Sequence, residues 1–389
     1  MEEDLNLDPG QYMGFYSWYS WPNVVLCFFG GYLIDKVFGV RLGAIVFSVF
    51  VTVGQCIFGL GALLNRYWLM CLGRFVFGIG GESLCVAQNN YAVNWFKGRE
   101  LNMVFGLQLS FSRVGSTVNM NTMKRIYALI SQFVKGYVCL GISLFIASGF
   151  CVMSLICALL LAFFDKRSKR ILNTETFGTG EVIRLKDVKD FNVMVWLLCT
   201  ICVCYYVTIF PFIGLGLVFL EMKYQLEPST ALACNSVVFL LSAVVSPLFG
   251  LAIDKTGRNV LWVILGIVVT LGCHATFAFT FLNPFVPMVF MGLAYSVLAS
   301  ALWPMVALVV PEYQLGTAYG IMQSVQNLGL ATISLAAGAI VDKKGYLILE
   351  VFFQGWLCVG VLNRSAYLRR KLALEESVTV DVDTAPLLT

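Results

Sequence analysis

Gly31-Tyr-Leu-Ile-Asp35-Lys36-Val-Phe-Gly39-Val-Arg41 recurs later in the chain as Gly250-Leu-Ala-Ile-Asp254-Lys255-Thr-Gly257-Arg258. Each copy follows one long apolar stretch and leads into the next. Between them they carry an aspartate, a lysine, a glycine and an arginine in nearly the same order, the first copy being one residue longer. A loop repeated at corresponding places in two halves is the internal duplication expected of a membrane transporter built from two helix bundles around a central site.

The sequence on either side supports that fold class. Of the 389 residues, 59% are hydrophobic and only 12% charged, and the mean hydropathy is +0.82. A soluble domain carries about a quarter charged residues. A membrane-spanning helix needs about 20 predominantly apolar residues. About eleven such stretches are present, near 12–34, 42–63, 69–92, 103–123, 138–164, 193–220, 231–252, 260–281, 285–310, 316–341 and 346–362. The chain is therefore expected to be an all-α polytopic membrane protein embedded in a lipid bilayer. One long polar connection, 165–192, separates five spans from six. It sets the expected division into an N-terminal bundle (1–164), a cytosolic linker (165–192), a C-terminal bundle (193–362) and a cytosolic tail (363–389). The first dozen residues are acidic and lack the basic start and apolar core of a cleavable signal, so the first span is expected to direct insertion itself.

Orientation follows from Lys and Arg. With the 35–41 loop in the cytosol, about 17 basic residues fall on that side and about seven on the other, as the positive-inside rule requires. The net charge of +4 is thus a matter of topology, and no nucleic-acid partner is implied. The 13 cysteines lie in or beside apolar spans and are read as packing groups, Cys199, Cys202 and Cys204 included. His274, the single histidine, lies mid-span and reads more readily as a core or hydrogen-bonded group than as a proton carrier. No metal or cofactor is expected. With no His-Glu-x-x-His, phosphate loop or nucleophile elbow, catalysis is not expected either.

Two opposite charges interrupt apolar helices: Glu82 and Arg113. An ionised side chain near the bilayer centre costs at least about 2.5 kcal/mol and normally faces a protein interior or a wet cavity. Each lies about ten residues from the cytosolic end of its span, roughly 15 Å deep at 1.5 Å per residue. A carboxylate and a guanidinium at one depth can hold the ammonium and carboxylate of a zwitterion, or they can neutralise each other as a structural ion pair. Asp35 and Asp254 are expected to lie near the starts of the helices beginning at Gly316 and at about Leu101. There a carboxylate favours the positive end of a helix, as a gate on the cytosolic side or as simple loop capping.

The second loop copy fits the signature Gly-x-x-x-Asp-Arg/Lys-x-Gly-Arg/Lys, and Arg74-Phe-Val-Phe-Gly78-Ile-Gly80-Gly81 looks like the matching fourth-helix pattern. These residues resemble the major facilitator superfamily. Within it the chain looks most like a branch of lysosomal dipeptide uniporters, from about residue 16 to about 353, through the following segments. They are Tyr19-Ser-Trp-Pro-Asn-Val-Val-Leu-Cys-Phe-Phe-Gly-Gly31, Gly78-Ile-Gly-Gly-Glu82-Ser-Leu84, Gly115-Ser-Thr-Val-Asn-Met-Asn121, Pro211-Phe-Ile-Gly-Leu-Gly216, Leu302-Trp-Pro-Met-Val-Ala307 and Gly316-Thr-Ala-Tyr-Gly-Ile-Met-Gln-Ser-Val-Gln-Asn327. The resemblance implies a two-bundle fold that exports dipeptides to the cytosol by alternating access. It also implies a heavily glycosylated single-span lysosomal membrane protein as accessory subunit. Superfamily members have twelve helices with the loop after the second. Here it follows the first span, so the first helix is expected to be missing, and the last is short.

The resemblance favours substrate contact for Glu82 and Arg113. Tyr206, Trp303 and Gln326 become candidates for the remaining substrate-binding residues, although helix packing would also explain each. A non-transporting nutrient sensor or scaffold on the same fold is the alternative. In the tail, Asp383-Thr-Ala-Pro-Leu387-Leu388 has the form of an acidic dileucine read by sorting adaptors, which points to the lysosomal membrane. The single sequon, Asn363-Arg-Ser365, falls on the cytosolic side, so no N-glycan is expected on the lumenal loops.

Overall fold

The computed structural model describes residues 2–5, 7, 9–97, 100–172, 188 and 191–363. The tail positions Asp383, Leu387 and Leu388 and most of the 165–192 linker therefore lie outside the described residues. Every long element is an α-helix. They are α1 Pro9–Leu33, α2 Gly39–Leu63, α3 Tyr67–Phe96, α4 Leu101–Ile130, α5 Tyr137–Ile171, α6 Val193–Tyr224, α7 Pro228–Thr256, α8 Asn259–Phe279, α9 Phe285–Val309, α10 Leu315–Lys344 and α11 Tyr346–Asn363. They coincide with the eleven apolar stretches, because in lipid the backbone must satisfy its hydrogen bonds within each segment.

Two elements depart from expectation. Among the described residues, α4 is the long helix without a window apolar enough to count as a candidate span. Gln108, Ser110, Ser112, Arg113, Ser116, Thr117 and Asn119 make its middle polar around much of the helix. The stretch expected as a loop at 35–41 is a π-helical turn, Ile34–Phe38, continuous with α1. The chain breaks direction at Gly39, whose φ of 65° and ψ of 164° only glycine adopts without strain. The second copy ends differently: Gly257 caps α7 in the left-handed conformation at φ 62°, its N–H donating to Ile253 O at 2.9 Å.

The chain divides into two compact units. Unit 1 comprises Met1–Lys97, Phe111–Lys189 and Val310–Ala331, and unit 2 comprises Gly98–Ser110, Asp190–Val309 and Thr332–Thr389. The first turns of α4 thus belong with unit 2 and the first turns of α10 with unit 1.

In unit 1, α2 and α3 cross at backbone distance. A Cβ on Gly54 would strike the Phe77 backbone, and one on Gly73 would strike that of Phe58. At the end of the unit that carries the first loop, Asp165 is buried. It accepts from Arg41 Nε at 2.9 Å and Trp95 Nε1 at 3.1 Å, and pairs with Lys169 at 3.5 Å, tying the ends of α2, α3 and α5 together. The opposite end is closed by an apolar cluster around Phe15, Phe58, Met70 and Leu140. Only 6% of the apolar window of α5 is buried, so this helix turns its surface to lipid.

In unit 2 the interior helices are α6 and α9, with 67% and 72% of their apolar windows buried. Both are apolar all round, as helices surrounded by others must be. Asn192 caps α6 by accepting from Met194 N at 3.1 Å. Pro211 and Pro304 lie inside these two helices, where neighbouring helices can compensate the missing backbone bond. Cys199, Cys202 and Cys204 are buried in α6 as small packing groups.

Candidate functional site

The buried carboxylate comes first. Glu82 lies 14 residues before the end of α3 at Phe96, and Arg113 lies 12 residues after the start of α4 at Leu101. At 1.5 Å per residue they are about 21 and 18 Å along their helices. Both are deeper than the sequence estimate, because the helices run beyond the apolar stretches, to Phe96 and from Leu101. Both belong to unit 1.

Glu82 uses both carboxylate oxygens. Oε1 accepts from the Tyr19 hydroxyl of α1 at 2.9 Å, and Oε2 accepts from Gln323 Nε2 of α10 at 2.8 Å. Three helices therefore converge on one half-buried anion. Neither bond comes from Arg113, so the structural ion pair weighed from sequence is not what holds Glu82. Arg113 is half-buried on α4. Its carbonyl accepts from Thr117 Oγ1 at 3.0 Å, which turns that threonine back into the helix.

The same part of α10 is fixed to α1 by further contacts. Phe28 N donates to Ser324 Oγ at 3.0 Å, and Asn327 Nδ2 contacts Cys27 Sγ at 3.8 Å. Gly320 lies against the Cys27 carbonyl so closely that any side chain there would collide with it. Gln326 is buried in this segment. Of the five candidate substrate residues, Glu82, Arg113 and Gln326 therefore lie in unit 1, and Tyr206 and Trp303 lie in unit 2.

In unit 2, Trp303 Nε1 donates to the Tyr206 hydroxyl at 2.9 Å. Tyr206 stacks on Phe210 at a centroid distance of 5.5 Å and meets Tyr295 edge-on at 6.4 Å. Tyr206 is buried while Trp303 is half-exposed. The group is an aromatic wall whose indole is held in one orientation by its hydrogen bond.

The two loop aspartates occupy equivalent positions. Asp35 Oδ1 accepts from Gly316 N at 2.9 Å, and Oδ2 accepts from Thr317 N and Oγ1 at 2.6 and 2.7 Å. Asp254 Oδ1 accepts from Asn102 N and Nδ2 at 3.1 and 2.6 Å, and Oδ2 accepts from Met103 N at 2.9 Å. Each carboxylate thus takes up free amides at a helix N-terminus, α10 for Asp35 and α4 for Asp254, where the helix dipole favours an anion.

Sequence reasoning named Tyr19 only as the start of a segment resembling the family and gave it no site role. In the structure Asn23 Nδ2, one turn later, donates to the Tyr19 carbonyl at 2.8 Å. Unit 1 also holds a cavity of about 810 Å³ between α2, α3, α4 and α5, with Gln55, Arg74 and Asn119 among its polar lining. Arg74 lies 4.2 Å over the Phe58 ring, so cation–π contact stabilises this charge within a span. Neither Glu82 nor Arg113 lines that cavity.

Comparison with known proteins gives a consistent picture. The model of the Major Facilitator Superfamily matches residues 1–357. The lysosomal dipeptide transporter MFSD1 of Danio rerio is 62% identical over 362 residues, covering 92% of this chain and 78% of that one. The protein of the same name from Homo sapiens is 58% identical over 365 residues, covering 93% and 78%. Among solved structures, FucP in the outward conformation superposes with a TM-score of 0.74 at 12% identity, covering 93% of this chain and 91% of that one. A bacterial homologue of ferroportin gives 0.75 at 9%, covering 93% and 92%. These two likenesses carry the fold. With the repeated loop, the eleven long helices among the described residues and this match over almost its whole length, the chain belongs to the major facilitator superfamily.

Proposed function

We propose that this protein is a lysosomal membrane transporter that exports dipeptides to the cytosol by alternating access, as a uniporter. The observation that carries the reading is 52–62% identity, over 92–93% of the chain, to proteins named lysosomal dipeptide transporter. The chemistry of unit 1 supports it. A zwitterionic dipeptide offers an ammonium and a carboxylate. Glu82, oriented by Tyr19 and Gln323, suits the ammonium, and the planar guanidinium of Arg113 suits the carboxylate. Gln326 adds an amide to the polar set, while Tyr206 and Trp303 supply aromatic surface that receives side chains without selecting one chemistry. Recognition limited to the charged termini makes acceptance broad across dipeptides.

Asp35 and Asp254 act as gating residues in this scheme. Each carboxylate is released from its helix N-terminus when the cytosolic side opens. A heavily glycosylated single-span lysosomal membrane protein serves as accessory subunit, shielding lumenal loops that carry no glycan of their own. Adaptors read Asp383, Leu387 and Leu388 on a cytosolic tail. Dipeptide flux into proteoliposomes containing the purified chain tests the function. Flux that saturates and is blocked by competing dipeptides supports it. Dipeptide binding without flux would favour the nutrient-sensor alternative.

A further inference from the structure

Within unit 2, α8 and α11 meet through two ionisable side chains withdrawn from solvent. His274 Nδ1 lies 2.6 Å from Glu350 Oε2, with side-chain exposures of 0% and 1%. Aromatic rings wall the pair: Phe212 of α6 stands edge-on to the imidazole at 5.1 Å, and Phe353 of α11 is 5.5 Å away. The outer atom of each group, Nε2 of His274 and Oε1 of Glu350, is buried without a hydrogen-bond partner. Buried polar atoms are seldom left so. As a fastener alone the pair is a poor choice, because apolar residues of similar volume usually hold two helices at least as well as a buried ion pair. The two unpartnered atoms are where a proton can be added.

The site lies near one end of the unit. His274 is five residues before Phe279, the end of α8, and Glu350 is four residues after Tyr346, the start of α11. These offsets correspond to about 8 and 6 Å of helix. This is the end away from Asp254, which lies two residues before the end of α7.

The ionisable neighbours are few. Lys223 and Tyr224 on α6 are within the electrostatic influence of Glu350, and Cys234 of α7 is within that of Tyr224. Cys273 adjoins on α8 itself, and Tyr346 of α11 packs on Phe219 at 5.3 Å. The ionisable group on α9 is Tyr295, which packs on Tyr206 and Phe210, and Lys343 and Lys344 of α10 are exposed. Lys223 is only partly buried. Its ammonium donates to the Phe277 carbonyl and lies 5.0 Å over the Phe281 ring.

We propose that His274 and Glu350 form a proton-binding site at the outer end of unit 2, loaded from the acidic side of the membrane, that sets the rate of transport. The proposal rests on the transport function argued above. In the unloaded state the neutral imidazole donates Nδ1–H to the Glu350 carboxylate, and the pair carries one negative charge that Lys223 partly offsets. One proton from water on the outer side then adds to Nε2 or to Oε1, leaving the pair neutral, and the reverse step returns it to the same side. A neutral pair suits the aromatic walls better than a charged one. The change reaches the aromatic wall through α6. Phe212 touches the imidazole and follows Pro211, while Tyr205 shares a hydrogen bond of 3.3 Å with Thr270, one turn before His274. Tyr206 and Phe210 lie between those two contacts on α6.

The test is dipeptide flux by the full chain in proteoliposomes as a function of pH on the outer side, for wild type, His274→Gln, Glu350→Gln and Lys223→Gln. Infrared spectra recorded across the same pH range accompany it. Wild-type flux is expected to change with pH, and the His274 and Glu350 variants to lose that dependence. Lys223→Gln is expected to keep it with the midpoint moved to higher pH, because removing a nearby cation favours proton uptake. A wild-type pH profile in correctly folded His274→Gln and Glu350→Gln would overturn the proposal. Should no protein show flux, the dipeptide function fails while the infrared titration still decides this site. A carboxyl or imidazole signal that titrates in wild type and is lost in Glu350→Gln supports it, and identical spectra refute it.

Discussion

Glu82 is held by a hydroxyl and an amide, Tyr19 and Gln323, rather than by a counter-charge. Neutral donors orient a carboxylate without cancelling it, so its charge stays available to a ligand ammonium. Glu82→Gln and Arg113→Ala are each expected to weaken dipeptide affinity ten-fold or more, since a charge-assisted hydrogen bond is worth about 1.5 to 3 kcal/mol and ten-fold corresponds to about 1.4. Equilibrium binding of a labelled dipeptide measures this, and wild-type affinity in both variants removes them from the site. Trp303→Phe keeps the ring and removes the donor to Tyr206, at a cost of about 1 kcal/mol in thermal stability. The positions of Glu82 and Arg113 were legible because charges are conspicuous against apolar sequence. Their partners were not: Tyr19 and Gln323 lie 63 and 241 residues from Glu82, and only helix packing brings such groups together. Glu350 stayed hidden for the same reason, 76 residues from His274 in the shortest span.

At the scale of elements, the aspartate caps couple a loop to a distant helix. Asp35 holds the start of α10, and one turn later Gly320 of α10 covers the carbonyl of Cys27, itself fully buried. Asp35→Asn substitutes a neutral amide for an acceptor of three hydrogen bonds and is expected to loosen α10 from α1. Maleimide labelling of Cys27 should rise several-fold over wild type, with Cys27→Ser as the control. Unchanged labelling would reduce Asp35 to a loop cap. Helix positions were readable from hydropathy to within seven residues at either end, because each span must be both apolar and about 20 residues long. The exceptions have local causes. The polar residues in the middle of α4 lower its hydropathy without unwinding it, and the first loop copy closes into a π-turn that Gly39 then ends. The placement of Asp35 at Gly316 and of Asp254 at Asn102 could be foreseen from the repeat, since a duplicated loop implies duplicated contacts.

For the whole molecule, the proposed tail signal and the proposed accessory subunit each set an expectation. Replacing Leu387 and Leu388 by alanine is expected to shift the protein from lysosomes to the cell surface, scored by surface biotinylation, and undiminished lysosomal residence would refute the tail signal. Loss of the proposed glycosylated accessory subunit is expected to shorten the protein's lifetime, measured by pulse-chase. A mobility shift on glycosidase treatment would contradict the cytosolic placement of Asn363. The central claim is that this chain moves dipeptides and recognises them by their charged termini. Flux of a labelled dipeptide into proteoliposomes, measured with competitors lacking either terminal charge, tests it most directly. The account predicts saturable flux, competed by intact dipeptides of varied side chains but not by N-acetylated or C-amidated ones, and reduced at least ten-fold in Glu82→Gln. Absence of flux in wild type, or equal competition by the blocked dipeptides, would contradict it.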